Sequence, residues 1–288
     1  MIELSAYAKI NLHLHSERRR ADGYHDLKTV FCHLDLCDTI QISAQRHRIE
    51  LISDTGLDVS TDLAGRAAIA LKAHVGDEKL GCQIRVIKRI PAGGGLGGGS
   101  ADAAAVLRGL SSLWNVNPSV LHPVAAQLGA DVPFLLNGGL ALATGIGDQL
   151  QPIATTATAN PLILLFPDVE VATPDAYRWM DEDGLDADDH GPEHLQRLIG
   201  TLRANSALFI KHVYNSFTEP VRQRIPEINR AFKAAEDAGL EPLLCGSGST
   251  VAAFGHGDIN HPALRPFQPI QTRLIGLNGP YEVKGSRS

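Results

Sequence analysis

Positive charge, cysteine and long apolar runs are all sparse in this chain, and each shortage excludes something. Lys and Arg total 26 against 32 Asp and Glu over 288 residues, a formal net charge of −6. That balance gives no general attraction to nucleic acid or to an anionic membrane, although it is compatible with a local basic cleft. Cys32, Cys37, Cys82 and Cys245 include no Cys-x-x-Cys pair, which fits free, mostly buried thiols in a reducing cytoplasm. Apolar runs such as Leu162 to Phe166 are far too short to span a bilayer. The first residues carry no basic segment followed by a long apolar stretch, so a soluble, cytoplasmic protein is expected, with neither a membrane nor a nucleic-acid partner. His-Glu-x-x-His is absent. His13 and His15 alternate with Leu12 and Leu14 and so share one face of a strand, but no third ligand stands at a metal-site spacing. A solvated or hydrogen-bonded strand face is expected there, and no metal site.

Glycine, by contrast, is concentrated in one place. Pro91-Ala92-Gly93-Gly94-Gly95-Leu96-Gly97-Gly98-Gly99-Ser100 runs straight into Ala101-Asp102-Ala103-Ala104-Ala105-Val106-Leu107, with six glycines in seven positions. Glycine has no side chain to bury and costs about 0.5–1 kcal/mol relative to alanine in regular structure, so packing does not explain the run. Backbone N–H groups turned inward around an anion do explain it. An Ala-rich helix directly afterwards adds unpaired N–H groups and the positive end of a helix dipole. Loop and helix start together read as a phosphate site and not as a linker.

Two common phosphate motifs do not fit. Gly93-x-Gly95-x-x-Gly98 formally matches the dinucleotide fingerprint, yet Arg89-Ile90-Pro91 separates it from the strand candidate Cys82 to Lys88. No acidic residue falls between Asp102 and Asp131, where a dinucleotide fold needs one for the ribose. No Gly-Lys-Ser/Thr follows the glycines either, so the cation that meets the phosphates must come from elsewhere in the chain.

Alternation over residues 6–15 predicts a strand carrying Lys9, Asn11, His13 and His15 on one side. Further strands are predicted at 26–34, 39–43, 49–52, 82–88, 135–136, 140–144 and 162–166. Helices are predicted at 66–74, at 101–114 with an amphipathic stripe, at 118–128 with Gly129 as C-cap, at 192–204, and at 215–238 broken by Pro220 and Pro226. The Thr/Ala/Pro-rich stretch from Gln151 to Asn160 marks a domain boundary, giving units 1–152 and 160–288. Asp181 to Asp189 reads as an acidic surface loop. Leu243 to Phe254 reads as two half-strands joined by the Gly246-Ser247-Gly248-Ser249 turn. Together these elements predict an α+β chain with two lobes.

Three segments in this order, Ala8-Lys9-Ile10-Asn11-Leu12, the 91–105 loop and helix, and the Gly246–Ser249 turn, resemble the GHMP small-molecule kinases. Arg20-Ala21-Asp22-Gly23-Tyr24-His25 and Leu128-Gly129-Ala130-Asp131-Val132-Pro133-Phe134 narrow the likeness to the branch that phosphorylates a cytidine-diphosphate-linked methylerythritol. The resemblance covers about residues 6–254. It implies an N-terminal ATP-binding lobe, a C-terminal substrate lobe and an active site between them, with ATP and Mg²⁺ as cofactors. Position by position, it implies Lys9 and Asp131 as the catalytic pair, with Asp131 as general base. Pro91, Gly93, Gly94, Gly95, Leu96, Gly97, Gly98, Gly99 and Ser100 then wrap the ATP phosphates. Asn11, Tyr24, His25 and Tyr177 meet the second substrate, the two tyrosines covering opposite faces of the cytosine. Asp102 is expected to cap its helix or aid the metal. Ser16-Glu17-Arg18-Arg19, where relatives often have a glycine, and Asp62-Leu63, where many have Asn-Leu, depart from the pattern, and the tail from Gly255 to Ser288 is less helical than usual. A GHMP kinase with homoserine or a mevalonate phosphate as acceptor, or an inactive binding module on the same fold, remains open. The sequence sets no oligomeric state.

Overall fold

The computed structural model describes residues 1–155, 161–184, 190–204 and 206–275. Strand β1 (Ile2–Arg19) extends the predicted 6–15 segment at both ends. Its antiparallel partner β2 (His25–Arg46) is one strand where two are predicted. Asp35 and Asp38 do not end it, because neighbours satisfy them. Arg273 Nε donates to Asp35 (2.8 Å), while Asp38 accepts from the backbone N–H of Ile90 (2.8 Å) and from Lys88 Nζ (2.5 Å). The strand bulges instead: Tyr7 pairs with Cys37 but Lys9 pairs with His33, so Ala8 faces Leu34 to Leu36. Such a bulge bends a strand and re-aims its side chains, and here it lies immediately before Lys9.

Beyond the bulge, β2 divides its partners. Residues 39–46 pair with β4 (Leu80–Ile87), which carries the parallel β3 (Ile49–Ser53). Residues 29–32 pair with β5 (Leu140–Thr144), itself joined to β6 (Gln149–Pro152). His33 and Leu34 pair with β11 (Ile270–Ile275), which continues into β7 (Pro161–Leu165), β10 (Val251–Phe254) and β9 (Glu241–Leu244). A two-residue β8 (Tyr214–Asn215) runs parallel to β1 at His13–Leu14.

Eight α-helices are described: α1 (Leu63–Val75), α2 (Gly98–Leu113), α3 (Leu121–Leu128), α4 (Val132–Asn137), α5 (Thr173–Glu182), α6 (His190–Arg203), α7 (Thr218–Arg224) and α8 (Pro226–Asp237). Helix α2 starts three residues earlier than predicted, inside the glycine run, and every residue from Ala101 to Leu107 is buried. It is a central helix, buried as its apolar stripe predicts and over more of its circumference than the stripe alone, and its alanines let neighbours approach closely. Leu135 and Leu136 lie in α4 and not in a strand; Pro133 starts that helix and Gly138 stops it within six residues, too few for a period to be read. The predicted 215–238 helix splits at Ile225, which is extended (φ −119°, ψ 93°) because Pro226 follows it. Part of the 151–160 boundary, residues 185–189 of the acidic segment and the tail from 276 onward lie outside the described residues.

Two hydrophobic cores result, on opposite faces of the β7–β10 sheet. Leu162, Leu164, Ala252 and Phe254 belong to the larger core, with α1 to α4 and the N-terminal strands. Ile163, Leu165, Val251 and Ala253, one residue out of step, belong to the smaller one with α5, α7 and α8. The period of two in a strand makes that division. The fold is α+β and two-lobed. No helix among the described residues is long and apolar enough to cross a membrane.

Candidate active site

The glycine loop lies across β1: the backbone N–H of Lys9 donates to Leu96 O (2.9 Å), and the Leu96 side chain is buried. Contact demands glycine at two positions in particular. A Cβ on Gly95 would stand 1.9 Å from Cys245 O, and the residue is left-handed (φ +75°). A Cβ on Gly97, also left-handed (φ +71°), would meet Lys9 Cγ at 3.0 Å. The loop is thus pressed between the Lys9 side chain and the 246–249 turn. Asn215 holds that turn in place, its Nδ2 donating to Leu244 O (2.8 Å) and Gly246 O (2.7 Å). The three segments singled out in the sequence are one cluster in space.

Lys9 is buried (5% exposed) with its ammonium 3.4 Å from Asp131 Oδ2. It donates to Asn11 Oδ1 (2.8 Å), Asn11 Nδ2 donates to Thr29 Oγ1 (2.8 Å), and Thr29 Oγ1 donates to His13 O (2.6 Å). This chain fixes the Asn11 amide and leaves the lysine one carboxylate partner. Asp131 precedes α4 but makes no capping bond, and its carboxylate is 31% exposed. It is therefore free to face a ligand. Lys9, Asn11, Asp131, Pro91 and Gly93 to Ser100 all line one cleft of about 790 Å³.

A second lysine completes the electrostatics. Lys88, just after β4 and also lining the cleft, donates to Asp38 (2.5 Å) and to Asp102 Oδ2 (2.7 Å). Asp102 does not cap α2; its Oδ1 is buried with no hydrogen-bond partner among the described residues. Burial pushes its carboxyl up to about 8, with Asp38 adding to the rise and Lys88 opposing it. Asp62 is committed elsewhere. It caps α1 by accepting from the N–H of Ala64 (2.9 Å) and also accepts from Thr55 Oγ1 (3.1 Å).

Next to the first cleft is a second cavity of about 730 Å³, and both are bounded by Leu27, Ala130, Ile146, Thr173 and Tyr177. Tyr24 and His25 line the second cavity. Tyr24 is 63% exposed. His25 is buried, its ring stacked on Tyr177 with centroids 4.8 Å apart. Tyr177 in turn meets Phe217 edge-on (4.8 Å), and burial, with Asp131 nearby, pushes its hydroxyl up to about 12. His13 and His15 are buried and not solvated. Neither ring nitrogen of His13 has a hydrogen-bond partner among the described residues, and its ring packs 5.4 Å from that of Tyr214. Sequence reasoning missed Lys88, Thr29 and Asp181. The Lys88 signal was its place just before Pro91, while Thr29 and Asp181 gave none without the fold.

A glycine loop beside a Lys–Asp pair, at a cleft next to a second cavity, fits a small-molecule kinase of the GHMP class. The model described as "GHMP kinases N terminal domain" matches residues 62–139. A 4-diphosphocytidyl-2-C-methyl-D-erythritol kinase from Xanthomonas euvesicatoria is 40% identical over 249 residues, 85% of this chain and 79% of that protein. One from Chlorobaculum tepidum is 37% identical over 265 residues, 88% of this chain and 89% of its own length. A crystal structure of 4-(cytidine 5'-diphospho)-2C-methyl-D-erythritol kinase superposes with a TM-score of 0.78 at 32% identity, covering 95% of this chain and 99% of that one. The chain belongs to the 4-diphosphocytidyl-2-C-methyl-D-erythritol kinase family.

Proposed function

We propose that this chain transfers the γ-phosphoryl group of ATP to the 2-hydroxyl of 4-diphosphocytidyl-2-C-methyl-D-erythritol. The observation that carries the reading is the Lys9–Asp131 pair, 3.4 Å apart, in the cleft that the glycine loop and the Tyr24–His25 cavity both adjoin. Phosphoryl transfer asks the protein chiefly to position groups and to offset charge on the moving phosphoryl. Asp131, uncapped and partly exposed, accepts the proton of the attacking hydroxyl, a contribution of roughly 10²–10⁴-fold. Lys9 holds that carboxylate and the hydroxyl in line, and its charge offsets the negative charge that develops on the attacking oxygen. Asn11, with its amide fixed by Lys9 and Thr29, faces the methylerythritol hydroxyls. The loop N–H groups from Gly93 to Ser100 and the start of α2 take the ATP phosphates. Tyr24 covers the cytosine, and His25 meets its polar edge.

Mg²⁺ neutralises the phosphate oxygens when bound. Protein sites for this ion commonly use one or two carboxylates together with substrate phosphates. Asp102, with a buried oxygen beside the loop that has no hydrogen-bond partner among the described residues, fits such a role. The division at 152 and 160 and a cytoplasmic setting for the four free thiols are part of the same proposal. The test is phosphoryl transfer from ATP–Mg²⁺ to the cytidylyl substrate, with homoserine and mevalonate as parallel acceptors. Transfer to the cytidylyl substrate alone is expected; transfer only to another acceptor overturns the substrate assignment while leaving the kinase.

A further inference from the structure

One helix grips the ring of His25 at two points a turn apart. Tyr177 stacks against its face, the planes 21° from parallel, and Asp181 Oδ1 lies 2.8 Å from its Nε2. Tyr177 and Asp181 are i and i+4 on α5 and so share a face. The other carboxylates of this acidic helix are taken by arginines: Arg178 pairs with Asp175 (2.9 Å) and Glu182 (3.6 Å), and Arg224 pairs with Asp183 (2.7 Å). Asp181 is left to the imidazole. A carboxylate only accepts, so the hydrogen of a neutral His25 sits on Nε2 and the lone pair on Nδ1. Nδ1 has no hydrogen-bond partner among the described residues, and His25 lines the 730 Å³ cavity. A lone pair there accepts from an amine and repels a carbonyl oxygen. Cytosine carries an amine at C4, where uracil carries an oxygen.

We infer that Asp181 is a positioning residue that sets base specificity. By holding His25 in the Nε2–H tautomer against Tyr177, it makes the cavity accept a cytidylyl and reject a uridylyl substrate. The inference rests on the function proposed above for this cavity. Asp181 acts through the imidazole and not on the base, so its loss shows in the choice of base and in KM, with turnover on saturating substrate less affected. A polar site left with the wrong partner discriminates far more strongly than an apolar one.

The experiment has two readouts. Two-bond ¹H–¹⁵N spectra of the full chain labelled with ¹⁵N-histidine report the His25 tautomer without any substrate. The Nε2–H form is expected in the wild type and a mixture in Asp181→Ala; a wild-type ring protonated on Nδ1 alone overturns the inference. Steady-state kinetics with the cytidylyl substrate and its uridylyl analogue supply the second readout. Asp181→Ala should raise KM for the cytidylyl substrate about tenfold and narrow the preference over uridylyl by a similar factor, with KM for ATP unmoved. Asp181→Asn, whose amide oxygen can still accept from Nε2, should restore the preference. An Ala variant with the wild-type base preference refutes the role of Asp181 while leaving the kinase reading intact. A wild type that phosphorylates neither substrate refutes both.

Discussion

Alanine at Gly95 and alanine at Gly97 are the same chemical change two residues apart, and the structure gives them different consequences. Both residues are left-handed, with φ near +70°, so either substitution costs about 1–2 kcal/mol in backbone strain. At Gly95 the new methyl also lies 1.9 Å from Cys245 O and 3.1 Å from Gly248 O. These are backbone atoms of a turn that Asn215 ties down with two hydrogen bonds. Forcing them apart adds roughly 1–3 kcal/mol of overpacking, for a total of roughly 2–5 kcal/mol. In a chain of this size that lowers Tm on the order of 5–15 °C. Loop and turn part together, so KM for ATP rises with the loss of stability. At Gly97 the nearest atoms are Lys9 Cγ at 3.0 Å and Cε at 3.2 Å, in a side chain that can swing aside. The stability loss then stays near the strain alone, about 1–2 kcal/mol. Lys9 leaves Asp131, however, and a misplacement of about 1 Å at the reacting groups costs on the order of 10²-fold in rate. Thermal unfolding and ATP-dependent turnover on both variants separate the two cases. A Gly95→Ala variant with the wild-type Tm and KM for ATP would refute the backbone clash, and a Gly97→Ala variant that loses as much stability as Gly95→Ala while keeping its kcat would refute the displacement of Lys9.

Other consequences can be checked independently. Asp131→Asn should lower kcat by orders of magnitude with ATP affinity nearly unchanged; wild-type turnover would remove the general base from the mechanism. Tyr24→Ala should raise KM for the cytidylyl substrate more than KM for ATP, because a base–aromatic stack is worth about 1–3 kcal/mol; equal changes in both would make Tyr24 structural. Burial pushes His13 and His33 down to about 3, so the unfolded chain takes up protons near pH 6.5 while the native rings refuse them. Their contribution to stability is complete above pH 6.5 and is lost as pH falls toward 3, reaching about 2 kcal/mol per ring at pH 5. Urea unfolding at pH 7 and pH 5 should show this drop, and His13→Phe should remove about half of it; an undiminished drop in that variant would place the acid sensitivity elsewhere.

What the sequence conveyed, and what it withheld, follows from the range of the interactions involved. The glycine run could be read directly because its cause is local: six residues without side chains and a helix start need no partner to be recognised as a loop that lays its backbone against a cleft. Lys9 and Asn11 could be placed on one face because a strand has a period of two. The single β2 strand could not be read, since what keeps Asp35 and Asp38 inside it are Arg273, the Lys88 ammonium and the backbone N–H groups of Arg89 and Ile90, and alternation carries no record of distant partners. His13 and His15 misled for the same reason. On a strand two histidines look polar, but Tyr214 on β8 packs its ring against both and is itself stacked on His194 of α6, and a polar face becomes a buried one. The acids show the limit most plainly. Asp38, Asp102, Asp131 and Asp181 are alike in a sequence. In the fold one closes the backbone before the loop, one keeps a buried oxygen beside the loop, one faces the cleft uncapped, and one orients a histidine. Those differences come from a neighbouring lysine, a helix end and an imidazole, each supplied by another element. Motifs therefore located the glycine loop and the Lys9–Asp131 pair that share the cleft, whereas the residues around them became visible only once the strands and α5 had brought their partners within about 3 Å, the range over which a hydrogen bond exists.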